Sequence, residues 1–556
     1  MSRPWYTPEE TEAGIPIFLL DITWGGIDYH LATLAVTVDS DDGEIQYTAG
    51  LQEFTFKESA DFVAIDVEAN ILSCSLMLPE TVNLLQEWAK GNVLEGSRAV
   101  FSYVVWRQGS VVQTYENRII LMQGQIQEPQ FGDPAEPDNF VALSVEQSPL
   151  DSTRLLLDNK KFIDDRFPAR DLETADGKPY PIIIGIPGYS LDPDGTAKQL
   201  YSTPAYCIQD YTSHHDAEFL IAGHVVGASY VRIQDDNFRN VNKLIERGVD
   251  SLGNEYSYVT LGTSDNVALP GYFGSGDSRT WFCTWTPSIL GIGGGMLNPY
   301  GDGYLTGGGD LCRWAIHKTG QLVDDGAWAN IAPILNRYEF SGYINDPEVT
   351  AWEWLQGNIL PFLPITIRSG PNGLRPVLNQ LEALIHIDPI TNIDIDDTGE
   401  FYQLSAVDTI TNSDQIINRY TLNYAKVGYS QDYAGQVRCT NFAEQAIDIP
   451  SDYAETSVNR YGIKEGSAST DYIYDRGTAE IIALQQVRAS ALVLRAVDIS
   501  APFHYGFLQI GDILAVTSTR LFLSSHKMIV GEKEWLGQEW RLRLIFEDNP
   551  IQNQRS

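Results

Sequence analysis

His214, His215 and Asp216, with His224 close behind, form the densest set of metal-capable side chains in the sequence. Adjacent residues of a strand point to opposite faces, so the two neighbouring histidines do not chelate one ion. The set reads instead as a polar loop with Asp216 as a capping group. Asp394, Asp396 and Gly399 stand at the first, third and sixth places of a calcium loop, but the twelfth place is Ser405. That position needs a bidentate glutamate, so the loop fails as an EF-hand. In LDPDGT, at 191–196, the glycine comes too early. HExxH, GxSxG and the phosphate-cradling GxxxxGK[ST] are absent, which removes the commonest signatures of zinc proteases, serine hydrolases and P-loop enzymes. A glycosidase needs two carboxylates held about 5–10 Å apart, and 74 acidic residues single out no pair. The sequence therefore predicts no catalytic, cofactor-binding or metal site, and no enzyme.

The wider composition points to assembly. The chain has 556 residues, with 74 acidic against 37 basic side chains and a formal net charge of −37. Such a surface repels free nucleic acid and anionic membranes. The five cysteines (Cys74, Cys207, Cys283, Cys312, Cys439) are dispersed and include no CxxC pair, so buried free thiols are expected. The N-terminus has no basic stretch before an apolar one, and no segment reaches the roughly twenty apolar residues that span a bilayer. A soluble chain without membrane insertion is expected.

Strand signals dominate. Trp540, Leu542, Leu544 and Phe546 alternate with Arg541 and Arg543, as in a strand with one buried face. Together with KMIVGEKEW they predict a closing hairpin around Leu536-Gly537-Gln538. Gly511-Asp512 reads as a turn feeding a strand. Asp475 is placed to cap a helix over RGTAEIIALQQVRASAL, with Leu484, Val487 and Ala491 on its apolar stripe. Near the other end, HLATLAVTV and EIQYTAG flank an Asp42-Gly43 turn. Further strands are expected at ANILSCSLML, AVFSYVVWRQG, NRIILMQGQIQEP and NFVALSVEQSP. Between them a helix is predicted over 79–91, with Val82, Leu85 and Trp88 on one face.

In the middle, SYVRIQDD, EYSYVTLG, LPITIRSG, LEALIHI and YTLNYAKV read as strands. Twelve glycines between Gly271 and Gly309 suggest an exposed loop. DDGAWANIAPILNRY predicts a helix kinked or divided by Pro333, and Asp346-Pro347-Glu348 predicts the start of another. The helical spacing of Trp328 with Ile331 and Leu335, and of Trp352 with Leu355 and Ile359, makes these tryptophans core residues rather than a sugar platform.

The order of these pieces resembles the hub proteins at the tips of long-tailed phages and related gene transfer agents. The resemblance rests on the Asp-Gly hairpin, "NLLQEWAKG", "FSYVVW", "RIILMQGQIQEPQFGDPAEP", "ALSVEQSP", then GKPYPIIIGIPG at 177–188 and FLQIGDILAVT in the closing block. It covers the first 190 residues and the last eighty. The expected fold is mainly β (α+β) and multidomain, with tail-tube-like β-barrel domains and a few short helices. The expected divisions are a tube-like barrel over 1–150, a connector over 151–200, a β-rich unit with a glycine-rich loop over 201–330, an α+β unit over 331–470 and a helix plus small β module over 471–556.

The resemblance implies a structural virion protein, the central hub of a tail tip or baseplate, made in the host bacterial cytoplasm. It would form a homotrimer, join the distal tail or tail tube protein, and enclose the end of the tape measure protein. It would support a central spike or fibre protein and gate transient DNA passage without specific binding. A host-surface adhesin or polysaccharide hydrolase of the tail tip, and a distal tail ring protein, are the rival readings.

Overall fold

The computed structural model describes residues 14–59, 71–77, 90–131, 140–146, 154–157, 161–191, 197–200, 203–212, 215–234, 240–265, 281–285, 294–370, 372–395, 401–427 and 432–547. The chain is mainly β, with 48% strand and 17% helix. The helix predicted over 79–91 lies outside the described residues except for Lys90 and Gly91, which form a turn.

Strands from both ends of the chain merge in one 17-stranded sheet. In the N-terminal unit Ile15–Trp24 pairs on one side with Ile27–Ala32 and on the other with Arg98–Arg107. From there the pairing continues through Ile119–Phe131, Phe140–Glu146 and Ile71–Met77 to Leu51–Ser59. The chain segment Gly43–Ala49 leads straight into Leu51–Ser59, and its end pairs with Ile27–Ala32. That continuity closes a barrel-like ring of strands. The strands expected here are present, except that HLATLAVTV is divided between Ile27–Ala32 and Val36–Ser40, and the hairpin of Val36–Ser40 with Gly43–Ala49 pairs Ser40 with Gly43, so its tip is Asp41-Asp42 rather than the expected Asp42-Gly43.

The C-terminal unit contains Leu494–Pro502, Ile513–Ser518, Leu523–Trp535 and Glu539–Glu547, with short strands from 391–409 on both edges. The predicted alternation holds: Trp540, Leu542, Leu544 and Phe546 are buried while Arg541 and Arg543 are half-buried. Gly511 has φ +88°, as a turn requires, and Asp512 Oδ2 accepts from Gln509 N at 2.7 Å. The helix Arg476–Ser490 starts where expected, with the Asp475 carboxylate accepting from Thr478 N at 2.7 Å. Its buried face is centred on Ala479, Ile482, Ala483 and Val487, so Leu484 lies at the edge of the stripe.

Between the ends, a seven-stranded sheet closes on itself because Asn240–Leu244 and Glu246–Val249 are consecutive in one chain segment. The first pairs with Tyr230–Gln234 and the second with Glu255–Leu261. Phe219, Val231, Ile233, Trp281 and Trp285 fill this small barrel. Beside it, Trp314, Trp328, Trp352 and Trp354 are buried in a helical core. The core assignment of Trp328 and Trp352 is thus correct.

Three further expectations are corrected. LEALIHI forms the helix Gln380–His386, not a strand, because Asn379 caps it through Glu382 N and a seven-residue apolar run fits either periodicity. The helix expected at Asp346 begins at Ala351, where Thr350 and Glu353 form a reciprocal capping box. Asp346 only closes a turn on Glu348 N. Of the glycine tract, residues 271–280 and 286–293 lie outside the described residues; Gly301 and Gly303 are exposed, whereas Gly294, Gly295, Gly307, Gly308 and Gly309 are buried. Gly295 N donates to Gly185 O, and a Cβ there would stand 2.3 Å from Ile183 O. Gly308 opens the helix Gly308–Thr319.

Candidate functional site: the seam between the terminal units

The two ends of the chain meet along one antiparallel register, in which Glu532, Lys533 and Glu534 face Ser59, Glu58 and Lys57. Lys533 and Glu58 are 475 positions apart (533 − 58), yet their side chains pair at 3.3 Å with 2% and 6% exposure. The Lys533 ammonium also donates to Leu508 O at 2.7 Å and Gly506 O at 3.2 Å. Its charge lies 5.3 Å from the Trp540 ring and 5.8 Å from the Phe56 ring. Burial pushes the lysine below its usual range, and the Glu58 carboxylate opposes that shift.

Aromatic packing makes the seam one core. Phe18 lies 4.9 Å from Trp535 and 6.4 Å from Trp540, and Phe56 lies 6.2 Å from Trp540 in an edge contact. Phe503 O accepts from both Trp540 Nε1, at 2.9 Å, and Tyr103 Oη, at 3.4 Å. On the outer face Lys57 pairs with Glu532 at 3.2 Å. Arg541 reaches Glu532 and Glu534 at 2.7 and 2.8 Å, while Arg543 reaches Asp498 at 3.3 Å. These half-exposed pairs fix register more than they add stability. The face away from the seam packs Ala496, Ile513, Ile529 and Ile545 on the helical core. A clasp holds the turn at Gly511: Arg375 donates to Gln509 Oε1 and Ile510 O, and Val377 lies against the glycine. The chemistry at the seam is that of a buried ion pair set in aromatic packing.

The residues that first suggested chemistry are dispersed. His214 lies outside the described residues. His215 N donates to Thr212 Oγ1 on an exposed turn, and Asp216 O accepts from Gln209. His224 is structural: Ile183 N donates to its Nε2 at 3.0 Å while Nδ1–H faces Val225 O at 3.1 Å. Burial holds it neutral, with its pKa pulled down to about 4. Asp394 ends the strand Thr391–Asp394, whereas Asp396 and Gly399 lie outside the described residues. Ser405 Oγ accepts from Asp498 N, tying the 401–409 segment to the C-terminal sheet. All five cysteines are buried and free, and burial raises the Cys74 thiol to about 12. Among the described residues no group of three or more His, Cys, Asp or Glu could hold a metal ion, and no helix is long and apolar enough to cross a membrane. The sequence reading missed the Lys533–Glu58 pair. Its one signal was a lysine at an inward position of a strand, Lys533 between Gly531 and Trp535.

No protein-family model matches the chain, and no curated protein matches its sequence. Comparison with solved structures finds distant likenesses to tail and virion proteins. The tail protein from Neisseria meningitidis MC58 is 8% identical, with a TM-score of 0.38, over 96% of this chain and 97% of that one. The 43 kDa tail protein of prophage MuSo2 from Shewanella oneidensis is 7% identical, with a TM-score of 0.38, over 95% and 98%. A chain of the native gene transfer agent virion is 9% identical, with a TM-score of 0.38, over 68% and 86%.

Proposed function

We propose that this chain is a structural tail protein and serves as the central hub of a phage-type tail tip, working by assembly rather than catalysis. The observation that carries this reading is the seam. It welds a barrel-like N-terminal unit and a C-terminal β unit into one sheet with one core, although their sequences lie at opposite ends of the chain. Each copy therefore presents two β units side by side, held rigidly in register. Three copies in a ring carry six such units, a number suited to docking on a sixfold tube. The hub resemblance of the two sequence ends supports the same arrangement.

In this role the ring joins the tube or distal tail protein and surrounds the end of the tape measure protein. It carries a central spike or fibre on its far side. An acidic lumen, drawn from the excess of 74 acidic over 37 basic residues, would let DNA pass without holding it. Purified full-length chain, sized by light scattering and imaged by electron microscopy, tests the reading. A threefold ring is expected, and a sixfold ring would overturn it.

A further inference from the structure

The hairpin of Val36–Ser40 with Gly43–Ala49 turns one face inward and one outward. Val36, Val38, Ile45 and Tyr47 pack inward on Ile17, Leu19 and Val104. The alternate residues are exposed as two cross-strand rungs, Thr37 opposite Gln46 and Asp39 opposite Glu44. Like charges directly opposite each other destabilise a hairpin. Among the described residues neither carboxylate meets a cation. Nothing in the isolated chain offsets their repulsion.

This outward face lines a groove of about 730 Å³. The turn that pairs Arg107 with Ser110 lines it too, with Trp106 half-buried and Ser110 exposed. The exposed lining is therefore polar and acidic, with one indole and, among the described residues, no basic side chain. Each class of occupant meets such a lining differently. A metal ion needs more than two acids, and no group of three metal-capable side chains occurs among the described residues. An anion is repelled by both carboxylates. An apolar side chain would cover them without supplying a hydrogen bond. An uncharged sugar would bond them but leave their charges facing each other. A cation removes the repulsion.

We propose that this groove docks an arginine on an extended segment of a partner protein, with the guanidinium between Asp39 and Glu44 and against the Trp106 ring. A guanidinium pairs with carboxylates through a planar fork of N–H groups, is weakly hydrated and stacks on an indole. A lysine brings only a compact, strongly hydrated charge. Thr37, Gln46 and Ser110 are left to bond the backbone on either side of the arginine, which suits a peptide rather than a free cation. The contact stands on charge complementarity at the groove and is independent of the hub reading above.

Full-length chain labelled with 5-fluorotryptophan tests it by fluorine NMR, with the Trp106 signal assigned from Trp106→Phe. The probes are capped Gly-Arg-Gly, capped Gly-Lys-Gly and maltotriose. The arginine peptide should shift the Trp106 signal saturably and leave the other tryptophans unmoved. The lysine peptide should bind at least tenfold more weakly. Asp39→Asn with Glu44→Gln, both at exposed positions, should weaken the arginine peptide at least tenfold. The same variant should unfold at an equal or higher temperature, since it removes the repulsion. A structural role for the acids would lower that temperature instead. No shift of Trp106 by the arginine peptide, an equal response to the lysine peptide, or a response to maltotriose alone overturns the proposal. A shift that survives Asp39→Asn with Glu44→Gln overturns it as well, and none of these results touches the hub reading.

Discussion

Lys533 and Asp250 are both buried charges that join segments distant in sequence, and burial acts on them with opposite results. At the seam, one ammonium is matched by one carboxylate and two carbonyls, and burial prevails: the lysine is pushed below its usual range. Asp250 closes a turn of the small barrel and has no exposed side-chain surface. Burial would raise its pKa, but hydrogen bonds from Asn254, Leu252 and Tyr180 outweigh it and hold the carboxyl below its usual range. Arg166 adds an ion pair at 2.9 Å and, with Tyr180, anchors the 161–180 segment to the barrel. A charge met by many donors stabilises. A charge met by few fixes which strands pair, at a cost in stability. The seam is built for register, the Asp250 anchor for strength.

The largest expected effects come from breaking the seam. Glu58→Ala leaves the Lys533 charge buried without its carboxylate and should cost about 3–5 kcal/mol, read from denaturant unfolding. Trp540→Ala should cost a similar amount, about 3–5 kcal/mol, by opening a cavity where both units meet. The paired change Glu58→Met with Lys533→Met should be far milder than Glu58→Ala, since well-packed apolar replacement of a buried pair is often neutral. A double substitution as damaging as the single one would show that the pair stabilises and would erase the contrast with Asp250.

Asp250→Ala comes next, at about 3 kcal/mol, because it takes one of two ion pairs from Arg166 and the acceptor from the Tyr180 hydroxyl and the Leu252 and Asn254 amides. Its effect should be local, with faster proteolysis within 161–180 and an intact seam.

Both charges should make stability rise with pH, each in its own window. The folded pKa of Asp250 is depressed, so its contribution is full above about 3.9 and is lost as pH falls through the folded value. Lys533 has a depressed folded pKa too, but its charged form is the disfavoured one. Stability from this group therefore rises with pH between the folded value and about 10.4. Proteolysis across pH should show the anchor failing first in acid while the seam tightens in base. The smallest effect is Asp475→Ala, about 1 kcal/mol, through loss of a helix cap that serves neither region.

What could be read in the sequence was local. The period-two pattern of Trp540, Leu542, Leu544 and Phe546, the Asp475 cap and the helical spacing of the tryptophans each depend on neighbours a few residues away. The seam depends on a pairing across 475 positions, and no local pattern encodes which distant edge a strand will meet. A bulge at Gly531 shifts the register within Leu523–Trp535 just before that meeting point, and the polar Ser524-Ser525-His526 stretch hides only the start of the strand, whose remainder KMIVGEKEW is legible. Gly294 and Gly295 misled for a related reason. A glycine that lets two backbones touch has the same letter as a glycine in an open loop.

On the hub reading proposed above, the seam lets three chains set six β units around a tail axis. Reconstruction of an intact particle without imposed symmetry tests it most directly. The chain is expected on the axis, in threefold symmetry, with Lys533 and Glu58 paired within each copy. Sixfold symmetry, or density for the chain away from the axis, would contradict it.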